Sequence, residues 1–531
     1  MILKIRQVAT TTLLLLISFL LAQPGLASER GWPVEGQFQW YSAPFFGRVG
    51  SPVAQDLDGD GQKEVVVLQG KYDPAGNSVV EIQVFDKDGS PFTGNWPVQI
   101  AEEMIFGNVA STGPMIANVD GSDEELEIIV TLLEPGTKTL RIYVLNHDGT
   151  FFWTTPFERT VTHTGMEADF SPGAVGDLNR DGLLEIVTAV GDEVFVIEPD
   201  KTTLFEVDLN EDDYFISSAP ALADLDQDGK LEVILNFDKY YAWKYDGTSL
   251  PGWPIDIPGT LQIPAANIMP VVGDLDDDGD YEIVFSNIPA HQNELITWIY
   301  AYHHDGSVVD GWPVEDIGVG SSNRFNSPAL ADIDNDGKPE VITLKAGADN
   351  EVCVYHHDGT MAAGWPRAVN LSGMGSFYYI ANSFTPSVGD VDGDGEVEIA
   401  VVAMDRSNSD VPAVYLFNAD GTDVAGFPFP TEVYSMLASI PSMVDLDNDD
   451  RAEILFSYYK VTGASNGTVN WHVELVQDLG WQALNHSAMP WPSFQRDPHH
   501  SGTLPIGFGQ FLIFADGFES GNSSQWSLSV P

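Results

Sequence analysis

The feature that most constrains this fold is an acidic nonapeptide that recurs along most of the 531-residue chain. Seven copies keep the pattern D-x-[DN]-x-D-[GD]-x-x-E, and one further copy is degraded. Their first residues lie 47 to 62 residues apart. A repeat of this length is one supersecondary unit that packs against its neighbours. The copies, numbered one to eight in chain order, occupy residues 56–64, 118–127, 177–185, 224–232, 274–282, 332–340, 390–398 and 445–453.

The sequence around each copy is typical of short antiparallel strands. A β-branched run such as EVVVL at 64–68 follows the acidic segment, and the next apolar run usually ends in an Asp-Gly turn. β-Branched residues favour strands, and Asp-Gly favours tight turns between antiparallel strands. A proline before most copies can open a strand without breaking a ladder bond. Trp-Pro or Phe-Pro closes five units, at residues 96–97, 253–254, 312–313, 365–366 and 427–428.

These units predict a ring of small sheets. About four short strands in a unit of roughly 55 residues cannot bury both faces of their own sheet, so the units must pack on each other. Radial packing of four-stranded sheets gives a β-propeller. We predict an all-β propeller of eight four-stranded blades, with seven as the alternative. Gly31-Trp32-Pro33 and Trp491-Pro492 indicate that an N-terminal strand completes the last sheet.

The acidic segment carries the oxygen donors that calcium prefers. Side chains at positions 1, 3 and 5 can converge on one ion, the carbonyl of position 7 and the carboxylate of position 9 complete the shell, and Gly at position 6 permits the turn. An EF-hand would need its glutamate at position 12 between helices, and Mg²⁺ suits so flexible a cage poorly. We predict Ca²⁺ at about six or seven sites, in the first hairpin of most blades. The predicted ligands are Asp56, Asp58, Asp60, Gln62, Glu64, Asp177, Asn179, Asp181, Leu183, Glu185, Asp224, Asp226, Asp228, Lys230, Glu232, Asp274, Asp276, Asp278, Asp280, Glu282, Asp332, Asp334, Asp336, Lys338, Glu340, Asp390, Asp392, Asp394, Glu396, Glu398, Asp445, Asp447, Asp449, Arg451 and Glu453.

The copies are unequal. Asn179 leaves three carboxylates in the third copy, and Asp450 replaces glycine in the eighth. The second copy, with Asn118 and a shifted Glu127, is expected to bind calcium weakly or not at all.

The N-terminus is typical of an export signal. Lys4 and Arg6 precede an apolar stretch, Leu13–Ala22, which is too short to span a membrane, and small residues at 25 and 27 fit a cleavage site. No later apolar run could span a bilayer. We therefore expect a secreted protein, extracellular or at the cell surface. The predicted domains are a signal peptide at 1–27, a propeller at 28–503 and a C-terminal tail at 504–531.

Composition limits the partners. With 79 Asp and Glu against 23 Lys and Arg, the net charge of −56 would repel a phosphate backbone, so we expect no nucleic-acid partner. The single cysteine, Cys353, excludes an intramolecular disulfide and is expected to be a small buried hydrophobe.

Catalytic patterns are weak, and we predict no catalytic residue. A GxSxG match at 463–467 precedes a strand-like segment, so a hairpin turn is the better interpretation than a nucleophile elbow. The pairs His303-His304 and His356-His357 recur inside Asp-Gly turns and are expected to be solvated turn residues.

The repeat resembles the FG-GAP and VCBS family, which includes the propellers of integrin α-subunits and of many secreted bacterial proteins. The resemblance is carried by the acidic segments, the preceding Ser-Pro or Ala-Pro pairs and the following apolar strands, over residues 31–500. It implies a propeller with calcium in the first hairpin of each blade, although integrin propellers have seven blades. The tail around 514–526 looks like short tails on secreted proteins of Gram-negative bacteria.

Three functions remain open, and one of them is purely structural, with the propeller as a spacer or decoration of the cell surface. The first is a monomeric binding or adhesion module for an extracellular protein or glycan, with its contact surface on the face opposite the acidic loops. The second is a carbohydrate-active enzyme, because eight-bladed calcium propellers also serve as rhamnogalacturonan lyases, and Tyr240-Tyr241 or Phe377-Tyr378-Tyr379 could stack on sugars. Few basic residues are present to hold uronic acids. Candidate contact stretches are 73–78, 286–294, 317–326 and 369–384.

Overall fold

The fold of the described residues consists of β-strands only. A computed structural model contains 35 strands in the part of the chain that it describes. The all-β prediction is therefore confirmed. The described residues are 34–39, 51–72, 78–102, 113–121, 125–134, 138–161, 173–209, 218–257, 269–287, 290–291, 294–295, 297–316, 327–345, 351–369, 385–404, 412–430, 435–437, 440–446, 452–462, 468–476 and 501.

Seven sheets have four antiparallel strands each, joined in sequence order. Blade 1 is β2–β5, Val53–Gln55, Glu64–Tyr72, Ser78–Phe85 and Val98–Glu102. Blade 2 is β6–β9, Met115–Ala117, Glu127–Glu134, Thr139–Leu145 and Phe157–Thr160. Blade 3 is β10–β13, Ala174–Gly176, Glu185–Val190, Glu193–Ile197 and Thr203–Asp208. Blade 4 is β14–β17, Ala221–Ala223, Glu232–Asn236, Lys239–Trp243 and Ile255–Asp256.

The remaining four-stranded sheets follow the same plan. Blade 5 is β18, β19, β22 and β23, Val271–Gly273, Glu282–Asn287, Thr297–His303 and Val314–Asp316. A small separate pair, β20 Ala290–His291 and β21 Glu294–Leu295, interrupts its middle hairpin. Blade 6 is β24–β27, Ala329–Ala331, Glu340–Lys345, Glu351–Tyr355 and Arg367–Ala368. Blade 7 is β28–β31, Ser387–Gly389, Glu398–Met404, Pro412–Asn418 and Phe429–Pro430.

The eighth repeat forms a five-stranded sheet that the N-terminal strand completes. Its strands are β32 Ser435–Leu437, β33 Ser442–Val444, β34 Glu453–Thr462, β35 Thr468–Val476 and β1 Val34–Gln39. Strand β1 pairs antiparallel with β35, so the expected closure by an N-terminal strand is confirmed. Trp32 and Trp491, which suggested it, lie outside the described residues.

Hydrogen bonds join the closing sheet to blade 1. The N–H of Ile440 donates to Ser51 Oγ at 3.2 Å, and Ser442 Oγ donates to the carbonyl of Pro52 at 3.4 Å. All four residues are buried. The β-propeller prediction is confirmed: seven four-stranded blades form the ring, and the five-stranded sheet lies between blade 7 and blade 1.

The innermost strands have three residues each and contact their neighbours in succession from β6 to β33. Small residues end most of these strands because the space between blades is narrow there. A Cβ added to Gly176 would lie 3.0 Å from side-chain atoms of Leu222 and Leu231 in the next blade. At Gly176, the small residue that the sequence places before the acidic loop is thus required by close packing between blades.

A tryptophan clasp links successive blades at their outer edges. The indole Nε1 of Trp312 donates to the carbonyl of His357 in the next blade at 2.7 Å, and that of Trp365 donates to the carbonyl of Ala419 at 3.1 Å. Trp96, Trp153 and Trp253 make the same kind of bond to His147, Pro199 and His304. The Trp-Pro pairs of the sequence therefore mark contacts between blades.

The core lies between the faces of adjacent sheets. Tyr240 of blade 4 is fully buried and stacks on Phe285 of blade 5, with ring centroids 3.9 Å apart. Cys353 is buried in the core between blades, which confirms the expectation from sequence. Among the described residues, none lies in a helix that is long and apolar enough to cross a membrane.

Candidate metal centres

The acidic segments join the first and second strands of their sheets. Because consecutive antiparallel hairpins alternate between the two ends of a sheet, the Asp-Gly turn after the third strand lies at the same end as the acidic loop. In blade 6, for example, the turn is closed by the N–H of Gly359, which donates to the carbonyl of His356 at 2.8 Å. One end of the propeller therefore carries both the acidic loops and these turns.

The glutamate at position 9 closes every acidic loop. Its Oε2 accepts a hydrogen bond from the backbone N–H of position 2, at 2.9 Å for Glu64 and Leu57 and at 2.8 Å for Glu398 and Val391. The degraded second copy keeps this bond, from Val119 to Glu127. All eight glutamates are buried. The same bond joins Leu178 to Glu185, Leu225 to Glu232, Leu275 to Glu282, Ile333 to Glu340 and Leu446 to Glu453.

The first and third aspartates shape the loop backbone. In the first copy, Asp56 accepts the N–H groups of Asp60 at 3.1 Å and Gly61 at 2.8 Å, and Asp60 accepts that of Gln62 at 2.8 Å. Gly61 has φ +86°, as the turn was expected to require. Backbone N–H groups at position 7 donate in the same way in five other loops, from Leu183, Lys230, Asp280, Lys338 and Glu396.

Predicted ligand side chains converge in several loops. Carboxylate oxygens of Asp56, Asp58 and Glu64 lie within 4.8 Å of one another. The corresponding first, second and last carboxylates also converge in the fourth and fifth loops. These sets are Asp224, Asp226 and Glu232, and Asp274, Asp276 and Glu282. The residues 447–451 of the eighth loop, with Asp447, Asp449 and Arg451, lie outside the described residues.

Some of these carboxylate oxygens are buried without any hydrogen-bond partner among the described residues. They are Oδ1 of Asp224, Oε1 of Glu232 and Oδ1 of Asp276. A buried carboxylate oxygen without a donor is costly unless a cation compensates it. This geometry fits a hard divalent cation that takes oxygen ligands, which is the chemistry of calcium.

Sequence comparison identifies the repeat. Residues 274–343 and 390–456 match the FG-GAP-like repeat family model, and each segment contains two acidic loops with their following strands. These two segments of the β-propeller are similar to FG-GAP-like repeats. No curated protein matches the sequence.

The fold of this chain is similar to that of a solved structure with a TM-score above 0.5. The biofilm matrix protein Bap1 of V. cholerae is similar over 88% of this chain and 95% of its own, with a TM-score of 0.52 and 15% identity. A lectin from Burkholderia pseudomallei is similar over 74% of this chain and 100% of its own, with a TM-score of 0.42 and 12% identity. At these identities the likeness concerns the fold alone.

Burial dominates the electrostatics of the acidic loops. Desolvation raises the pKa of Glu64, Glu232 and Glu398 to about 8, although the hydrogen bond from the N–H of position 2 acts to lower it. Glu185 is raised to the same pKa of about 8 by burial and by neighbouring Glu198. Without a cation, these carboxyls therefore take up protons near neutral pH. A cation in the loop would favour their charged forms.

The sequence analysis did not single out the residue that faces each acidic loop from the third strand of its blade. Glu198 belongs to a cluster with Asp181 and Glu185, whose oxygens lie within 4.8 Å of one another. His356 forms such a cluster with Asp334 and Glu340. Neither has a fixed spacing from the acidic segment, so only the pairing of strands places them there.

The first histidine of each pair is not simply a solvated turn residue, so the expectation was wrong for His303 and His356. His303 Nδ1 lies 2.9 Å from Glu282 Oε1, and His356 Nδ1 lies 3.0 Å from Glu340 Oε1. Glu282 pairs with His303, and Val341 pairs with Tyr355, which puts His356 opposite Glu340. Burial raises the pKa of Glu282 and Glu340 to about 7, and the histidine hydrogen bonds oppose that rise.

The aromatic pair considered for sugar stacking is part of the core, so that expectation was also wrong. Tyr240 is fully buried against Phe285, and Tyr241 is buried and stacks on Trp243 with ring centroids 4.8 Å apart. The residues 377–379 lie outside the described residues. The GxSxG match at 463–467 also does, but β34 and β35 on either side of it pair antiparallel, which confirms a hairpin.

Proposed function

We propose that this chain is a secreted, calcium-stabilised β-propeller that acts as a binding or adhesion module for an extracellular protein or glycan. The observation that carries the calcium part is the convergence of Asp224, Asp226 and Glu232, with buried oxygens that have no hydrogen-bond partner among the described residues. Export is proposed from the basic and apolar N-terminal segment.

Calcium would act as a cross-link within each loop. It binds oxygens that repel one another at neutral pH, and a ligand that binds only the folded chain stabilises it by mass action. In a chain with one cysteine and a net charge of −56, this replaces the disulfides of other secreted proteins. The oxygen donors would come from positions 1, 3, 5, 7 and 9 of the complete loops.

The proposed contact surface is the end of the propeller opposite the acidic loops. The connections between second and third strands, and those from one blade to the next, leave the sheets at that end. The candidate stretches 73–78, 286–294, 317–326 and 369–384 all fall in these connections. Apart from the ends of flanking strands, β20, Glu294 of β21 and Val369, they lie outside the described residues.

A binding role is supported by the kind of protein that shares the fold. Bap1, with a TM-score of 0.52, is a biofilm matrix protein. Repeated blades supply a rigid frame, and loops at one end supply variable contacts. Matrix polysaccharides and matrix proteins are therefore the first ligand classes to test.

Calcium binding is tested on protein freed of metal by chelating resin. We expect Ca²⁺ to raise the melting temperature strongly and Mg²⁺ at the same concentration to raise it much less. Equal stabilisation by both ions, or by neither, would refute the calcium proposal. Mass spectrometry of the protein from its native host tests export, since a mature N-terminus at Ser28 is expected.

Ligand binding is tested by incubating calcium-loaded protein with immobilised polysaccharides and with extracellular protein fractions. A variant in which residues 317–326 are replaced by a short Gly-Ser linker should lose retention while keeping its calcium-dependent melt. Retention unchanged in such variants of all four stretches would refute the proposed face. Ultraviolet absorbance of unsaturated products in the same incubations tests the lyase alternative.

A further inference from the structure

One position in each blade faces the buried glutamate of the acidic loop from the neighbouring strand. Glu398 pairs with Asn418 in blade 7, and Glu282 pairs with His303 in blade 5. In blade 4, Val233 pairs with Trp243, which puts Lys244 at the same facing position. Across blades 1 to 7, this facing position is occupied by Asp86, Asn146, Glu198, Lys244, His303, His356 and Asn418.

Blade 4 differs from the other described blades because its facing residue is a lysine. The ammonium of Lys244 is hydrogen-bonded to Asp226 Oδ2 and lies 3.8 Å from Asp228 Oδ2. The side chain of Lys244 is only 25% exposed. Its positive charge is therefore held inside the loop by the second and third aspartates, which are both predicted calcium ligands.

The ammonium does not reach the inner part of the same loop. Asp224 Oδ1 and Glu232 Oε1 remain buried without a hydrogen-bond partner among the described residues. Oxygens of Asp224, Asp226 and Glu232 nevertheless lie within 4.8 Å of one another. A divalent cation bound to the inner oxygens would have to share Asp226 with Lys244, and two positive charges would then lie close together.

We propose that Lys244 is a tethered competitor for the cation of its own loop, so that residues 224–232 hold calcium more weakly than the other complete loops. This inference rests on the proposed calcium binding. Lys244 supplies part of the positive charge that the loop needs in the absence of calcium. Calcium must either displace the ammonium of Lys244 from Asp226 or bind against its electrostatic repulsion.

The experiment is equilibrium dialysis against a series of free calcium concentrations, with bound calcium measured by elemental analysis. We compare the wild type with Lys244→Asn, which introduces the residue found at the facing position of blade 7. At least about a tenfold tightening is expected in one site of Lys244→Asn, because a unit charge near the ion is removed. At a concentration where the wild type leaves one site empty, the variant should bind about one more calcium per chain.

A matched control is available on the same strand. Lys239 forms an exposed ion pair with Asp256, 3.0 Å apart, away from the loop. Lys239→Asn makes the same change in net charge and should leave calcium binding nearly unchanged. The reciprocal variant Asn418→Lys should weaken one site of blade 7, and it decides the question if Lys244→Asn does not fold.

The outcomes separate this inference from the proposed function. A wild type that binds no calcium refutes the proposed function. Calcium binding by the wild type with no change in Lys244→Asn and Asn418→Lys overturns only the role of the facing position. An equal gain in Lys239→Asn would attribute the effect to net charge and would also overturn it.

Discussion

The buried carboxylate of Glu398 accepts a hydrogen bond from the backbone N–H of Val391 at 2.8 Å, across the tip of the seventh acidic loop. Burial raises the pKa of Glu398 to about 8. The same glutamate therefore fixes the loop and carries a charge that is unfavourable until a cation arrives. The same hydrogen bond to a buried glutamate recurs in the other acidic loops around the ring.

We expect the metal-free protein to lose stability as the pH rises. When folding raises the pKa of a carboxyl, its protonated form stabilises the folded state. That contribution is complete below the pKa of the unfolded chain and is lost as the pH rises through the pKa of the folded chain. For Glu64, Glu185, Glu232 and Glu398 this window runs from about 4.5 to about 8. The melting temperature of metal-free protein should thus be higher at pH 5 than at pH 8.5, and calcium should remove the difference.

The variant Glu398→Gln separates this effect from general charge repulsion. The amide keeps an acceptor for Val391 but carries no charge at any pH. At pH 8.5, Glu398→Gln should melt higher than the wild type without metal and lower than the wild type with saturating calcium. The same order of melting temperatures in both conditions would contradict the assignment of Glu398 as a ligand.

In the second loop, the glutamate holds the loop backbone although calcium binding is not expected there. Glu127 accepts the N–H of Val119 at 2.9 Å, in a copy that is expected to bind calcium weakly or not at all. Glu127→Ala should cost roughly 1–3 kcal/mol of the free energy of unfolding, because a buried N–H loses its partner. Denaturant titrations should give the same cost with and without calcium. For Glu398→Ala, the cost should be clearly larger with calcium.

Glycine is required at position 364 for two reasons, the positive φ of its own backbone and the close approach of the next blade. It has φ +90°, and a Cβ there would overlap the carbonyl oxygen of Asp420. Gly426 has a similar φ of +97° but no atom within 4 Å of such a Cβ. Gly426→Ala should cost about 1–2 kcal/mol from backbone strain alone. Gly364→Ala should cost at least about 1 kcal/mol more because of the overlap. Equal costs in urea unfolding would rule out the close approach.

The tryptophan clasp has a measurable hydrogen-bond component. Trp365 Nε1 donates to the carbonyl of Ala419 at 3.1 Å, whereas the corresponding residue of blade 7 is Phe427, a ring without an N–H. Trp365→Phe should therefore cost only about 0.5–1.5 kcal/mol for the lost bond, plus a small packing loss. Trp365→Ala should cost about 3–5 kcal/mol. Both free energies can be read from denaturant unfolding, and a Trp365→Phe cost as large as that of alanine would contradict this division.

Strand β1 should contribute more to stability than the residues before it. It pairs with β35 along its whole length, Val34 to Gln39, and so covers the edge of the closing sheet. A mature chain that begins at residue 40 should melt well below one that begins at residue 34, because β35 is left as an open edge. The chain that begins at residue 34 should melt like the full mature chain. Three equal melting temperatures would show that β1 does not hold the ring together.

The sequence by itself determined the architecture. Acidic loops at regular intervals, β-branched runs after them and Asp-Gly turns are all local signals, because each depends on the backbone preferences of a few adjacent residues. They were sufficient to predict the blades, the positions of the loops and most carboxylates that converge in them. The pairing of an N-terminal strand with the last sheet was also predicted, from the Trp-Pro pairs at 32–33 and 491–492.

Only the tertiary structure decided what faces each loop. Lys244, Glu198 and His303 each lie two residues before the aspartate of the turn that follows the third strand. Their spacing from the acidic loop varies with hairpin length, so the sequence did not show that they face it. His356 lies 16 residues from its glutamate, whereas His303 lies 21 residues from the equivalent one. The burial that raises the glutamate pKa values and the stacking that hides Tyr240 likewise come from packing between blades. Such packing joins residues far apart in the chain, and no local pattern records it.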